Sequence, residues 1–181
     1  MLVNSKVLLI HGWQGSPSPH WQYWLNEALT KQNISCTFPR LDDDMRPIKD
    51  VWLNQIVKSL ETSQADTVIT HSLGAMVWFH LCALQKVKPV ERLLIVAPPR
   101  DLRDIDVLKN FFPCETPLNC FAKEVTLVSS DNDIYMNTKE ATKMANTLQA
   151  KHMILKDAGH INADSNYGKW PWVLDWVLKD K

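Results

Sequence analysis

An α/β domain built on a parallel sheet is predicted by two patterns in the sequence. Six short runs rich in Val, Ile and Leu, at 6–10, 34–38, 66–70, 92–96, 125–129 and 152–155, are continuously apolar rather than alternating. Strands covered on both faces read this way. Between the runs lie longer segments whose apolar residues recur every three to four positions, the period of a helix with one buried face. Strand and helix in strict turn imply right-handed crossovers between parallel strands. The 181 residues suit one domain spanning 1–181.

The helices follow in chain order. After the first strand, Trp21, Trp24, Leu25, Ala28 and Leu29 form one face, with Ser18 and Pro19 as the expected cap and first-turn proline. After the second, Ile48, Trp52, Ile56 and Leu60 lie four apart. Residues 73–84 are apolar nearly all round, so this helix should be central and buried. The stretch 97–124, with prolines at 98, 99, 113 and 117, is long enough to be functional or to hold a short helix of its own. Ala141, Met144, Ala145 and Leu148 repeat the helical pattern behind Thr138, the expected cap. Pro171 opens a last helix carrying Trp172, Val173, Trp176 and Val177.

Composition bounds the function. Hydrophobic residues make up 45% and charged residues 22%, enough to bury a core. Lys plus Arg and Asp plus Glu number 20 each, without a dense basic run, which argues against nucleic acid or an anionic membrane as partner. The opening residues lead into only four consecutive apolar positions, where a signal peptide carries roughly 7–15 and a membrane helix about 20. A cytoplasmic protein is expected, with Cys36, Cys82, Cys114 and Cys120 as reduced thiols rather than zinc ligands.

In such a sheet, ligands bind beyond the carboxyl ends of the strands. His11-Gly12-Trp13-Gln14-Gly15 follows the first strand and Thr70-His71-Ser72-Leu73-Gly74 spans the end of the third. Asp131-Asn132-Asp133 follows the fifth, and Asp157-Ala158-Gly159-His160 the sixth. Serine, carboxylate and histidine thus reach one sheet edge in the chain order Ser, Asp, His, the α/β-hydrolase order. A serine hydroxyl needs a neighbouring base to become a nucleophile. A sharp strand-to-helix turn would lift Ser72 out of the sheet, although Thr70 stands where the G-x-S-x-G elbow has its first glycine. Capping of the buried helix is the competing role for Ser72.

His160 is the expected base. His71 should pack beneath the elbow, His11 should serve the turn after the first strand, and His80 should be a satisfied core histidine. The acid is Asp131 or Asp133. The oxyanion hole would use the backbone N–H groups of Trp13 and Leu73. Trp13, Gln14, Pro98 and Pro99 are the expected substrate-binding residues. Most of the eight tryptophans have helical spacing and belong to the core, leaving Trp13 and Trp170 as pocket candidates. Asp42-Asp43-Asp44 reads as a solvated acidic loop that would bias the site against anions. No metal and no cofactor are expected.

These motifs resemble the small serine hydrolases of the retinoblastoma-binding protein nine and YdeN type, within the α/β-hydrolase superfamily. The likeness runs from Val7 to the last helix. It rests on His11-Gly12-Trp13 with Ser16-Pro17-Ser18 and Trp21 and Trp24, on Pro39 and Pro47 before Trp52, on His71-Ser72-Leu73-Gly74, on Ala97-Pro98 and on Gly159-His160. The resemblance implies a three-layer sandwich whose six-stranded parallel sheet runs 2-1-3-4-5-6, without a large cap. It aligns Asp133 of Ser129-Ser130-Asp131-Asn132-Asp133-Ile134-Tyr135 with the family's catalytic carboxylate, with Ile134 in place of the family's proline. The implied activity is hydrolysis of small carboxylic esters by Ser72, His160 and Asp133. The alternatives are a thioesterase or peptidase using the same residues, or a catalytically weak protein-binding scaffold.

Overall fold

A computed structural model describes residues 5–179. Residues 1–4, the start of the segment read above as lacking a leader, lie outside that range, as do 180 and 181. The elements alternate as expected: β1 (Lys6–Ile10), α1 (Trp21–Lys31), β2 (Ser35–Thr37), α2 (Lys49–Ser63), β3 (Thr67–His71), α3 (Leu73–Ala83), β4 (Val90–Val96), β5 (Ala122–Ser130), α4 (Thr138–Thr147), β6 (Lys151–Leu155) and α5 (Pro171–Leu178). All neighbouring strands are parallel, in the order β2-β1-β3-β4-β5-β6.

The apolar runs sort their residues to two cores by strand alternation. Leu8, Ile10, Val68, Leu93, Ile95 and Leu127 face one side, where α2, α3 and α4 pack. Val7, Leu9, Ile69, Leu94, Val96 and Val128 face the other, beneath α1 and α5. The edge strands β2 and β6 are only partly covered, and the four inner ones carry the runs of buried residues. α3 is buried on nearly every side, as its composition requires. It approaches the sheet so closely that a Cβ on Gly74 would lie 2.5 Å from the Ile10 carbonyl oxygen.

Two caps differ from expectation. α1 begins after His20, whose Nδ1 accepts from the Gln22 N–H at 3.1 Å, so Ser18 and Pro19 belong to the preceding turn. α4 is capped by Asn137, whose side chain accepts from the Glu140 N–H, and Thr138 is its first helical residue. Asparagine and threonine are adjacent here, and the better capping residue takes the position. The long stretch after β4 does hold a helix, a 3-10 segment over Asp106–Phe111. No helix among the described residues is long and apolar enough to cross a membrane.

Candidate active site

β3 delivers His71 to the sheet edge, and Ser72 turns the chain into α3 with φ +51° and ψ −125°. Such a conformation costs a non-glycine residue of order 1–3 kcal/mol and persists only where packing enforces it. Two glycines make the room. Gly74 admits the helix, and Gly12 passes so near that a Cβ there would stand 2.8 Å from the Ser72 Cβ. The close approach therefore falls on residues 12 and 74. Thr70 is a fully buried β3 residue in register with Ile10 and Ile95, and its hydroxyl has no hydrogen-bond partner among the described residues.

Ser72 occupies the cap position of α3, yet its side chain makes no capping bond. Its Oγ lies 2.8 Å from His160 Nε2. His160 Nδ1 lies 2.9 Å from Asp133 Oδ2 and 3.1 Å from Oδ1. An ionised carboxylate only accepts, so Nδ1 carries the proton and Nε2 presents its lone pair to the serine hydroxyl. The Asp133 side chain is 1% exposed and that of His160 10%, which shields the pair from competing water. Asp133 Oδ1 also accepts from the Tyr135 N–H at 2.9 Å. Of the two candidate carboxylates, Asp131 turns instead to the Asp157 N–H at 2.8 Å and serves as a loop cap.

The other histidines are engaged elsewhere. His11 donates from Nδ1 to the Gly12 carbonyl at 2.8 Å and accepts from the Leu41 N–H at 3.0 Å. His80 meets the Phe111 carbonyl at 2.8 Å, and His152 meets Ser129 Oγ at 2.9 Å. His71 donates from Nε2 to the His160 carbonyl at 3.0 Å. Its ring lies between those of His20 and His160, with centroids 4.8 and 5.1 Å away. Burial, reinforced by His160, pushes His20 down to about 3. Burial also lowers His71, helped by His20 and His160. Both stay neutral at ordinary pH and place no positive charge beside His160.

The Ser72 hydroxyl opens into a cleft of about 280 Å³ at the carboxyl ends of the strands. Trp13, Leu102, Leu108 and Tyr135 give it an apolar wall; Gln14, His20, Asn162 and Asp164 give it a polar one. Trp13 and Gln14 are thus where the sequence placed them. The Trp13 indole donates to the Met45 carbonyl at 3.1 Å and the Gln14 N–H to the Asp44 carbonyl at 2.9 Å, which ties this loop to the acidic loop. Asp42 and Asp43 are exposed, while Asp44 packs beside Gly15.

Three expectations need correction. Pro98 and Pro99 do not line the cleft. After Ala97, which adopts φ +46°, the chain carries Pro99 to a separate depression with Met76 and Met136, and the wall is supplied by Leu102 and Leu108. Trp170 is no pocket residue; it packs against Trp21, Tyr167 and Trp172 beneath the sheet. His20 caps α1 and lines the cleft, although no motif surrounds it. A signal for the missed wall was present. Leu102, Ile105 and Leu108 recur every three residues, the 3-10 period, and the Ile105 and Leu108 N–H groups donate three residues back. Asn162 and Asp164 carried no such signal.

The serine hydrolase family matches this chain over residues 7–179. The chain belongs to the serine hydrolase family. YdeN of Bacillus subtilis, a protein named as a hydrolase, is 23% identical over 181 residues, covering 96% of this chain and 94% of YdeN. The crystal structure of the B. subtilis ydeN gene product superposes with a TM-score of 0.84, at 21% identity over 96% of each chain. A YdeN-like hydrolase from Pectobacterium atrosepticum gives 0.78, at 21% identity over 97% of this chain and 89% of that one. A structure of the metagenome-derived lipolytic enzymes LipS and LipT gives 0.72, at 13% identity over 97% and 92%. This hydrolase therefore shares an α/β-hydrolase architecture with each of them.

Proposed function

We propose that this hydrolase cleaves small carboxylic esters through an acyl-enzyme carried on Ser72. The observation behind this reading is the hydrogen-bonded chain from Ser72 through His160 to Asp133 at the floor of a small cleft. Ser72 Oγ attacks the ester carbonyl carbon, and its proton passes to His160 Nε2. Asp133 holds the tautomer and stabilises the imidazolium. The oxyanion is received by the Leu73 N–H at the start of α3 and by the Trp13 N–H, which Gly12 brings to the nucleophile. Collapse expels the alcohol, which takes the proton from His160. Water then attacks the acyl carbon with His160 again as base, the carboxylic acid leaves, and Ser72 is restored.

The cleft is at the small end of ligand pockets, and Leu102 and Leu108 offer an apolar wall for a short acyl chain. The lipolytic and esterase names of several structural neighbours agree with an ester substrate. A panel of p-nitrophenyl esters tests the reading. The expected kcat/KM is highest for two- to four-carbon acyl groups, and Ser72→Ala lowers it by about 10³-fold or more. Activity retained by clean Ser72→Ala protein would overturn it.

A further inference from the structure

His160 must meet Ser72 and Asp133 at once, and an error of about 1 Å in such a group can cost about 10²-fold in rate. Its side chain has two torsions, so the backbone beneath it decides whether both partners are reached. That backbone is irregular: Asp157, Gly159 and Ile161 all have φ near +50°. Alternating conformations of this kind turn successive N–H groups toward one side as an anion-binding nest.

The nest is filled by the neighbouring loop. The Asp157 N–H donates to Asp131 Oδ1 at 2.8 Å, the Ala158 N–H to Ser130 Oγ at 3.0 Å and the Gly159 N–H to Asn132 Oδ1 at 2.7 Å. Three consecutive amides of the histidine loop are thus held by three consecutive side chains of the carboxylate loop. Ser130 Oγ also donates to Asn132 Oδ1 at 2.7 Å, which joins two of these holds into one unit. His160 itself is held on both backbone groups. Its N–H donates to Ser165 Oγ at 3.2 Å, and its carbonyl accepts from His71. Ser130 is wholly buried, so its hydroxyl has no recourse to solvent.

We propose that Asn132 is a positioning residue for the hydrolytic reaction: its side-chain carbonyl clasps Gly159 and Ser130 together and thereby holds His160 in reach of both Ser72 and Asp133. Asp131 and Ser130 fix the loop's approach, but only Asn132 holds the residue directly before His160. Removal of its oxygen takes the acceptor from the buried Ser130 hydroxyl and frees the Gly159 backbone to rotate. Asn132 touches no reacting atom, so it acts on kcat rather than on substrate binding. The role rests on the acyl-transfer reading above, and the clasp itself can be measured apart from turnover.

The experiment compares Asn132→Ala, Asn132→Leu and Asn132→Asp in the full chain. Kinetics are measured with p-nitrophenyl acetate, and the downfield proton resonance of His160 Nδ1–H is followed by NMR. Alanine and leucine are expected to lower kcat about 10- to 100-fold with KM within about 3-fold of wild type, and to broaden or abolish the resonance. Aspartate keeps the acceptor and is expected to restore kcat to within about 3-fold, with the resonance intact. Leu148→Ala, in the core remote from the cleft, controls for lost stability and should leave kcat and the resonance unchanged. Wild-type kcat and resonance in the alanine variant would overturn the proposal. So would equal losses in the alanine and aspartate variants, since the oxygen would then not be the cause. If wild type neither hydrolyses esters nor reacts with a fluorophosphonate, the acyl-transfer reading fails by itself, and the resonance alone decides the clasp.

Discussion

The loops after β1 and β6 each bring a histidine beside a glycine to the same edge of the sheet, and they use it in opposite ways. In the first loop both ring nitrogens of His11 are taken by backbone groups, the Gly12 carbonyl and the Leu41 N–H. The ring is buried against Phe38 and Trp52, and burial lowers its proton affinity. It is a strut that closes the β2–α2 connection over the sheet. In the second loop the backbone carries the structural burden, through four successive N–H groups bonded to side chains. The His160 ring is thereby left free to face Ser72 and Asp133. The His160 ring reaches two side chains because its neighbours hold its backbone and leave both ring nitrogens to Ser72 and Asp133.

Substitution of each ring sharpens the contrast. His160→Gln is expected to lower kcat/KM for p-nitrophenyl acetate by about 10³-fold or more with little change in unfolding midpoint. His11→Gln should do the reverse. Its lost bonds cost about 1–3 kcal/mol in urea unfolding, and kcat of the folded fraction stays within a few-fold of wild type. A collapse of activity in well-folded His11→Gln would erase the distinction between the loops.

Gly12 belongs to the first loop but stands against Ser72. A Cβ there meets Ser72 Cβ at 2.8 Å and the His71 carbonyl oxygen at 3.1 Å, neither of which can swing aside. Gly12→Ala is expected to lower kcat about 10- to 100-fold while the chain still folds. Unchanged kinetics would mean that the approach of this loop does not set the site.

The smallest effect concerns His20, behind the second histidine. Its proton affinity falls from the ordinary 6.5 to about 3 in the folded chain, chiefly through burial. Below about pH 6.5 the unfolded chain binds a proton that the folded chain refuses, so stability decreases as pH falls toward 3. His20→Asn keeps the cap of α1 and removes this linkage. The drop in Tm between pH 7.5 and 5.0 should therefore be smaller in the variant than in wild type. An equal drop in both would show that His20 does not carry the dependence.

The sequence made the sheet legible because strands covered on both sides need apolar residues on both faces, as Val7–Ile10 of β1, Val68 and Ile69 of β3 and Leu93–Val96 of β4 supply. Ser72 and His160 were legible because each follows a strand in the expected chain order, Ser72 two residues before Gly74 and His160 directly after Gly159. Asp133 was not separable from Asp131 by residue type. The choice depends on which carboxylate the loop turns inward, and family resemblance named the one that the geometry brings to His160. Pro98 and Pro99 were misplaced because a positive-φ turn at Ala97 redirects the chain, and no residue type announces it. His20 and Asn132 were invisible for a related reason. The ring of His20 meets His71 and the side chain of Asn132 meets Gly159, partners distant in sequence.

The central claim, that Ser72 is activated by His160 and not by its neighbouring histidines, is tested most directly by the rate of fluorophosphonate labelling, followed by intact mass. In that reaction the Ser72 oxygen bonds to phosphorus, fluoride leaves and the serine proton passes to His160. Wild type and His11→Gln should each gain one adduct at similar rates, His160→Gln should label at least about 10²-fold more slowly, and Ser72→Ala should gain none. Equal labelling of wild type and His160→Gln, or no adduct on folded wild type, would contradict the claim.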